Sequence, residues 1–125
     1  MTFQNLLAYQ KSFALAMKIF EVSKTFPKEE KFSLTDQIRR SSRSVSANIA
    51  EAYRKRINPK NFQSKLTDCD AENSETRVWL EFCYKCNYIN EISFHEFAQE
   101  NDEVGKLINY MILNPTKFGV PIDKK

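Results

Sequence analysis

Turn-forming residues are scarce in this sequence of 125 residues, which has two glycines, Gly105 and Gly119, and four prolines, Pro27, Pro59, Pro115 and Pro121. That scarcity excludes an all-β fold, whose many short strands each need a turn. No apolar run approaches the ~18 residues of a membrane span, and the opening Met1-Thr2-Phe3-Gln4-Asn5 lacks the basic and apolar regions of a signal peptide. No membrane partner is expected, and the expected location is the cytoplasm. Three cysteines, Cys69, Cys83 and Cys86, are odd in number and loosely spaced, unlike the framework of a secreted disulfide domain. Free thiols are expected.

Chemistry-bearing residues are equally sparse. His95 is the single histidine, which excludes a histidine pair or a multi-histidine metal site within one chain. Cys83 and Cys86 together offer half of the four ligands a structural zinc takes. Carboxylates such as Glu72 with Glu75, or Glu100 with Glu103, lack the Glu-x-x-His partners of a di-iron bundle. The Arg-x(4–6)-His element of HEPN-type ribonucleases is missing ahead of His95. The expectation is a non-enzyme with no catalytic residue, no cofactor and no metal.

What the sequence does contain is helical periodicity. A first helix is predicted over about Asn5 to Lys24, with Leu6, Gln10, Phe13, Met17 and Phe20 on its inner face. Ser33 with Asp36 is a weak capping box for a second helix reaching about Arg56. Asn58-Pro59 caps a third that runs to about Tyr88, and Ser93 with Glu96 is a full capping box for a fourth ending ahead of Asn114-Pro115. Short connections between long helices favour antiparallel neighbours. The predicted architecture is all-α, an up-down-up-down four-helix bundle forming one domain over residues 1–125.

Two of these helices carry a second apolar side. In the third, Phe62, Leu66, Cys69, Thr76, Leu80 and Tyr84 make one stripe while Ala71, Val78 and Phe82 lie nearly opposite; in the first, Leu15, Ile19 and Val22 lie away from Phe13 and Phe20. A helix apolar on two sides is usually buried on two sides. Leu15, Ile19, Val78 and Phe82 are therefore the predicted oligomer interface.

The second helix joins an apolar stripe, Leu34, Ile38, Ser41, Ser42, Val45, Ile49 and Ala52, to an opposite side bearing Arg39, Arg40, Arg43 and Arg54. Its segments Gln37-Ile38-Arg39-Arg40-Ser41 and Ser44-Val45-Ser46-Ala47-Asn48-Ile49-Ala50-Glu51-Ala52 resemble the Gln-Leu-Arg-Arg-Ala and Ser-Ile-Pro-Ala-Asn-Ile-Ala-Glu-Gly elements of the 23S rRNA-intervening-sequence proteins. That four-helix-bundle family is related to the accessory variability protein of diversity-generating retroelements. The resemblance extends to Phe26-Pro27, Glu30 and Leu34, to Glu75-Thr76, to Tyr88-Ile89 and to Asn114-Pro115, and so covers nearly the whole chain. Val45-Ser46 replaces the family's Ile-Pro and removes a helix kink; Ala52 stands for Gly, and Cys69-Asp70 for Gly-Ser. The resemblance implies a homo-oligomer, specifically a pentameric ring, whose basic surface meets nucleic acid or a nucleic-acid enzyme such as a reverse transcriptase. Asn48 and Glu51, from the Asn-Ile-Ala-Glu element, are expected to hydrogen-bond a neighbouring helix and fix register.

The overall charge of +3 conceals a segregation: residues 24–60 hold ten basic against four acidic side chains, whereas residues 61–104 hold three basic against ten acidic. A concentrated basic face attracts phosphate backbones, and the predicted binding set is Arg39, Arg40, Arg43, Arg54, Lys55 and Arg56, for RNA or DNA. With no base-reading motif, such binding would be led by the backbone. Two other readings use the same residues: a protein-interaction adaptor whose charges serve docking, and a head-to-tail ring in which a basic face meets the next subunit's acidic one.

Overall fold

The computed structural model describes residues 1–122, which form four helices, α1 (Leu7–Ser23), α2 (Leu34–Arg54), α3 (Pro59–Lys85) and α4 (Glu91–Leu113). Short 3-10 helices lie at Phe3–Asn5, Lys28–Glu30 and Pro115–Phe118, and no strand occurs among the described residues. Consecutive helices pack together and α1 closes against α4. The result is the antiparallel up-down-up-down four-helix bundle that the periodicity predicts.

The helix ends differ in detail from the predicted ones. The Asn58 side chain accepts the Asn61 N–H at 3.3 Å with Pro59 in the first turn, as expected. α4 begins earlier than its Ser-x-x-Glu pattern suggests, because Asn90 accepts the Ser93 N–H at 2.8 Å and is itself the cap. α3 stops at Lys85 rather than Tyr88: Asn87 takes the left-handed conformation at φ 63°, Tyr88 N–H donates to the Cys83 carbonyl at 2.9 Å and Asn87 N–H to that of Tyr84 at 3.0 Å. These are the paired bonds of a Schellman ending, in which asparagine can take glycine's place. The Ser33 side chain does not cap α2. Its hydroxyl donates to Glu30 Oε1 at 2.5 Å, and the same oxygen accepts the Leu34 N–H at 3.4 Å.

The core has two apolar ends. One gathers Val45, Ile49, Phe62, Leu66, Cys69, Val104, Ile108 and Met111; the other gathers Leu15, Ile19, Phe26, Leu34, Ile38, Leu80, Cys83, Phe94 and Phe97. This corrects the reading of α1. Leu15 and Ile19 are buried inside the chain's own core, and Phe13 and Met17 are about half exposed, at 49% and 46%. The inward face of α1 is Ala8, Ser12, Leu15, Ala16, Ile19 and Ser23, a helical stripe in which small side chains let α2 approach. The prediction followed the bulky residues and so chose the wrong side. In α3, by contrast, Val78 and Phe82 are exposed at 45% and 53% while Phe62, Leu66, Cys69, Thr76 and Leu80 point inward.

Between the two apolar ends lies a buried polar layer that touches every helix. Ser12 of α1 shares a 2.9 Å hydrogen bond with Ser46 of α2, and Ser41 of α2 shares one of 2.8 Å with Thr76 of α3. Ser12 also donates to the Tyr9 carbonyl of its own helix, which leaves Ser46 as the donor across that gap, while Ser41 and Thr76 each have a carbonyl of their own helix, Ile38 and Glu72, as a further acceptor. Asn73 of α3 and Asn101 of α4 exchange amides: each Nδ2 donates to the other's backbone carbonyl at 3.0 Å, and Asn101 Nδ2 also reaches Asn73 Oδ1 at 3.1 Å. Gly105 makes room for this, since a Cβ there would sit 3.2 Å from Asn73 Nδ2.

Truncating Asn101 to Ala removes the donor to two Asn73 oxygens in a site that is 3% exposed. An unsatisfied buried polar group costs about 1–3 kcal/mol. Urea unfolding of N101A should give an unfolding free energy lower by about 1–3 kcal/mol, seen as a lower midpoint with helical content retained, and an unchanged midpoint would remove the layer's claim to energetic importance.

Candidate nucleic-acid interface

The start of α2 is fastened by one carboxylate. Glu30 accepts from Ser33 and Leu34 through Oε1, and its Oε2 accepts the Tyr88 hydroxyl at 2.8 Å. These hydrogen bonds, that from Ser33 foremost, hold the Glu30 carboxyl below its ordinary value of 4.5 and push the Tyr88 phenol up to about 12. The connection between α1 and α2 is thereby pinned to the α3–α4 loop. Lys31 and Phe32, in the same connection, are left facing solvent.

From this fixed point the arginines of α2 diverge. Arg39 is half-buried; its Nε–H donates to Ser23 Oγ at 2.7 Å and its guanidinium lies 4.8 Å from the centre of the Phe20 ring. Arg43 lies over the same ring at 5.3 Å. Two arginines stacked on one aromatic plane keep their outer edges free while losing side-chain freedom. Arg40 turns the other way, to Glu75 at 3.2 Å and Glu72 at 4.0 Å on α3. Arg54 and Lys55 sit at the far end of the helix, about 22 Å from Arg39 at 1.5 Å per residue. Arg56 packs 4.0 Å over its neighbour Tyr53, donates to the Tyr53 carbonyl at 2.7 Å and lies against Gly119.

The predicted set of six therefore does not form one patch. The structure instead brings Arg39 and Arg43 together with Lys31, Phe32, Thr35, Asp36 and the flank of Arg40 around a groove of about 510 Å³. Lys31, Phe32 and Thr35 escaped the sequence reading as site residues, and Phe20 was assigned to the core. The available signal was local: an aromatic beside a lysine, directly ahead of a helix bearing arginines. Arg43 also borders a second groove of about 430 Å³ that is largely apolar, lined by Phe3, Tyr9, Phe13, Ala16 and Met17 of the N-terminal segment and by Ala47 and Ala50 of α2.

Several cations elsewhere are neutralised within the chain. Lys11 meets Glu103 at 2.7 Å, Lys18 meets Glu96 and Glu100, and Arg77 meets Asp102 at 2.7 Å. Glu51 and Lys65 pair at 2.8 Å between α2 and α3, so Glu51 does reach a neighbouring helix. Asn48 does not: its Nδ2 donates at 3.2 Å to Ser44 of its own helix, and Ser46, on the inward side, makes the cross-helix bond in its place. Among the described residues, Lys31, Arg39, Arg43, Arg54 and Lys55 have no carboxylate within 4.0 Å, and neither do Lys28, Arg56, Lys60, Lys85, Lys106 and Lys117.

His95 is exposed and 3.6 Å from Glu91. Burial pushes the Cys83 thiol up to about 12 and raises Cys69 as well, so both are protonated small apolar side chains; Cys69 points its sulfur at the Val45 carbonyl. No group of three or more His, Cys, Asp or Glu among the described residues is placed to hold a metal ion. None of the described helices is long and apolar enough to cross a membrane.

Fold and surface together define a small helical-bundle protein with a cationic face on its second helix. The chain belongs to the family of 23S rRNA-intervening sequence proteins, whose family model matches residues 4–110. It is similar to the crystal structure, at 1.70 Å resolution, of a Bacteroides thetaiotaomicron protein of unknown function from the S23 ribosomal protein family. The two share 30% identity over 86% of this chain and 96% of that one, with a TM-score of 0.77. A search of curated proteins finds no match.

The Glu30 clamp makes an acid-side prediction. A depressed folded pKa means that the carboxylate's contribution is present above the unfolded value and is lost as pH falls through the folded one. The melting temperature of E30Q should lie below that of the parent at pH 7, and the gap should close as pH drops below about 4. A gap of constant size across that range would show that the charge on Glu30 contributes nothing.

Proposed function

We propose that this protein binds nucleic acid through the α1–α2 face and does so as a homo-oligomer, the pentameric ring implied by its family resemblance. The observation that carries the reading is the placement of two arginines on one ring: Arg39 and Arg43 are pre-positioned on Phe20 without a carboxylate partner, whereas Arg40 beside them is committed to Glu72 and Glu75. A fixed, unneutralised cationic face is suited to phosphates, which release condensed counterions on binding. Against the alternative of a charge-zippered ring, many acidic side chains of α3 and α4 already pair inside the chain, including Glu72 and Glu75 with Arg40.

Replacing Arg39 and Arg43 together with Gln should lower affinity broadly across sequences and flatten the slope of log affinity against log salt by roughly 1.4 to 1.8 units for each subunit engaged. R40Q, whose charge is committed to α3, should change the slope much less. Equal effects from the two variants would contradict the assignment. Binding would be followed by fluorescence anisotropy at several salt concentrations.

Assembly rests on Val78 and Phe82 of α3, which the bundle leaves exposed beside Trp79, and on the Phe13–Met17 groove of α1. Placing charges in a desolvated contact costs several kcal/mol. The double substitution V78D/F82D should give smaller particles by light scattering with helical content intact, because neither side chain belongs to the core. A parent chain that already runs as a monomer would end this part of the proposal.

A further inference from the structure

The nature of the strand follows from Phe32 and Thr35. Phe32 is 86% exposed, immediately ahead of α2 on a connection that the Glu30 clamp holds in place. Its ring borders the cationic groove, and Lys31 Nζ lies 5.3 Å from its centroid. An exposed aromatic among cations, on a backbone fastened next to it, is the arrangement on which unpaired bases stack while their phosphates are held alongside. A duplex offers no base face to such a ring, since its bases are already stacked on one another.

The second observation is independent of the first. Thr35, 8% exposed, lines the same groove, and its hydroxyl has no hydrogen-bond partner. A buried hydroxyl left unpaired is costly. Threonine in a helix populates two χ1 states, so the hydroxyl has a rotation open to it by which it could donate to a phosphate oxygen in the groove that Thr35 lines. Asp36, the one carboxylate on the groove, is unsuited to phosphate and suited to a base amino group or a ribose hydroxyl. The mixture of cations, an unpaired donor, one acceptor and an open aromatic face matches a nucleotide better than it matches a smooth phosphate backbone.

Resting on the nucleic-acid reading above, we propose that the groove takes single-stranded nucleic acid, with one base stacked on Phe32, its flanking phosphates held by Lys31, Arg39 and Arg43, and Thr35 donating to a phosphate oxygen. A protein partner would have to bury three unpaired cations to reach the same ring, which disfavours that occupant.

The test uses the full chain with an oligouridine of about 12 nucleotides, within the site sizes that single-strand binders span, and a mixed-sequence RNA duplex of equal length. Anisotropy, thermal melting and light scattering are measured for the parent, F32A, F32Y, T35V and T35S. Expected results are tighter binding of the single strand than of the duplex, a loss of about five-fold or more on the single strand alone in F32A, and its recovery in F32Y. T35V should bind the single strand more weakly while melting at a higher temperature, and T35S should retain the parent's affinity. Equal affinity for the two RNAs, an F32A loss shared by both, or a fall in particle mass in F32A would overturn the stacking proposal and leave the nucleic-acid reading intact. Binding to neither RNA by the parent would remove both.

Discussion

The buried polar layer across the middle of the bundle is the constraint on which the rest of this structure depends. Apolar contacts are non-directional and tolerate sliding of one helix against another, whereas a buried hydroxyl or amide must find its partner at hydrogen-bond distance or forfeit its desolvation cost. Here the layer links α1 to α2 through Ser12 and Ser46, α2 to α3 through Ser41 and Thr76, and α3 to α4 through Asn73 and Asn101. Each contact fixes one register. Three contacts in series fix the axial position of all four helices, and the apolar clusters on either side then fill the space that remains.

That register also decides how charge is shared. With the helices fixed, Lys18 falls opposite Glu96 and Glu100, Arg77 opposite Asp102, and Arg40 opposite Glu72 and Glu75. These are exposed or partly exposed pairs, each contributing little to stability. Their greater consequence is subtraction. They neutralise Lys18, Arg40 and Arg77, whereas Arg39 and Arg43 on the α1–α2 side keep their charge unpaired.

The bundle was legible in the sequence because its strongest signals are local: few turn formers, apolar spacing in α4 and an Asn-Pro start to α3. The inward face of α1 was not legible, since Ala8, Ser12, Ala16 and Ser23 carry little hydrophobicity and the larger Phe13 and Met17 point outward. The start of α2 after Ser33 was legible, but what caps it was not. Its capping carboxylate, Glu30, lies ahead of the helix and is reached through tertiary contacts with Tyr88. In the candidate site, Arg39, Arg40, Arg43 and Arg54 were read as one basic side of α2, but whether an arginine is free depends on what the adjacent helix presents. Glu75 takes Arg40 and Phe20 takes the other two, a difference no spacing within α2 records.

The polar layer and the cationic face are connected through α1. Ser12 and Ser46 set the height of α1 against α2, and two turns farther along α1 that height places Phe20 beneath Arg39 and Arg43 and Ser23 beside Arg39. A shift of one helical turn, about 5.4 Å, would carry the ring away from both guanidinium groups and leave them as flexible surface arginines. Freedom that a side chain has already lost in the unbound protein is not lost again on binding. The residues that order the basic face are therefore Ser12 and Ser46, in the interior, as much as the arginines that form it. The replacement of the family's Ile-Pro by Val45-Ser46 bears directly on this point, because a proline at position 46 has no hydroxyl to give to Ser12.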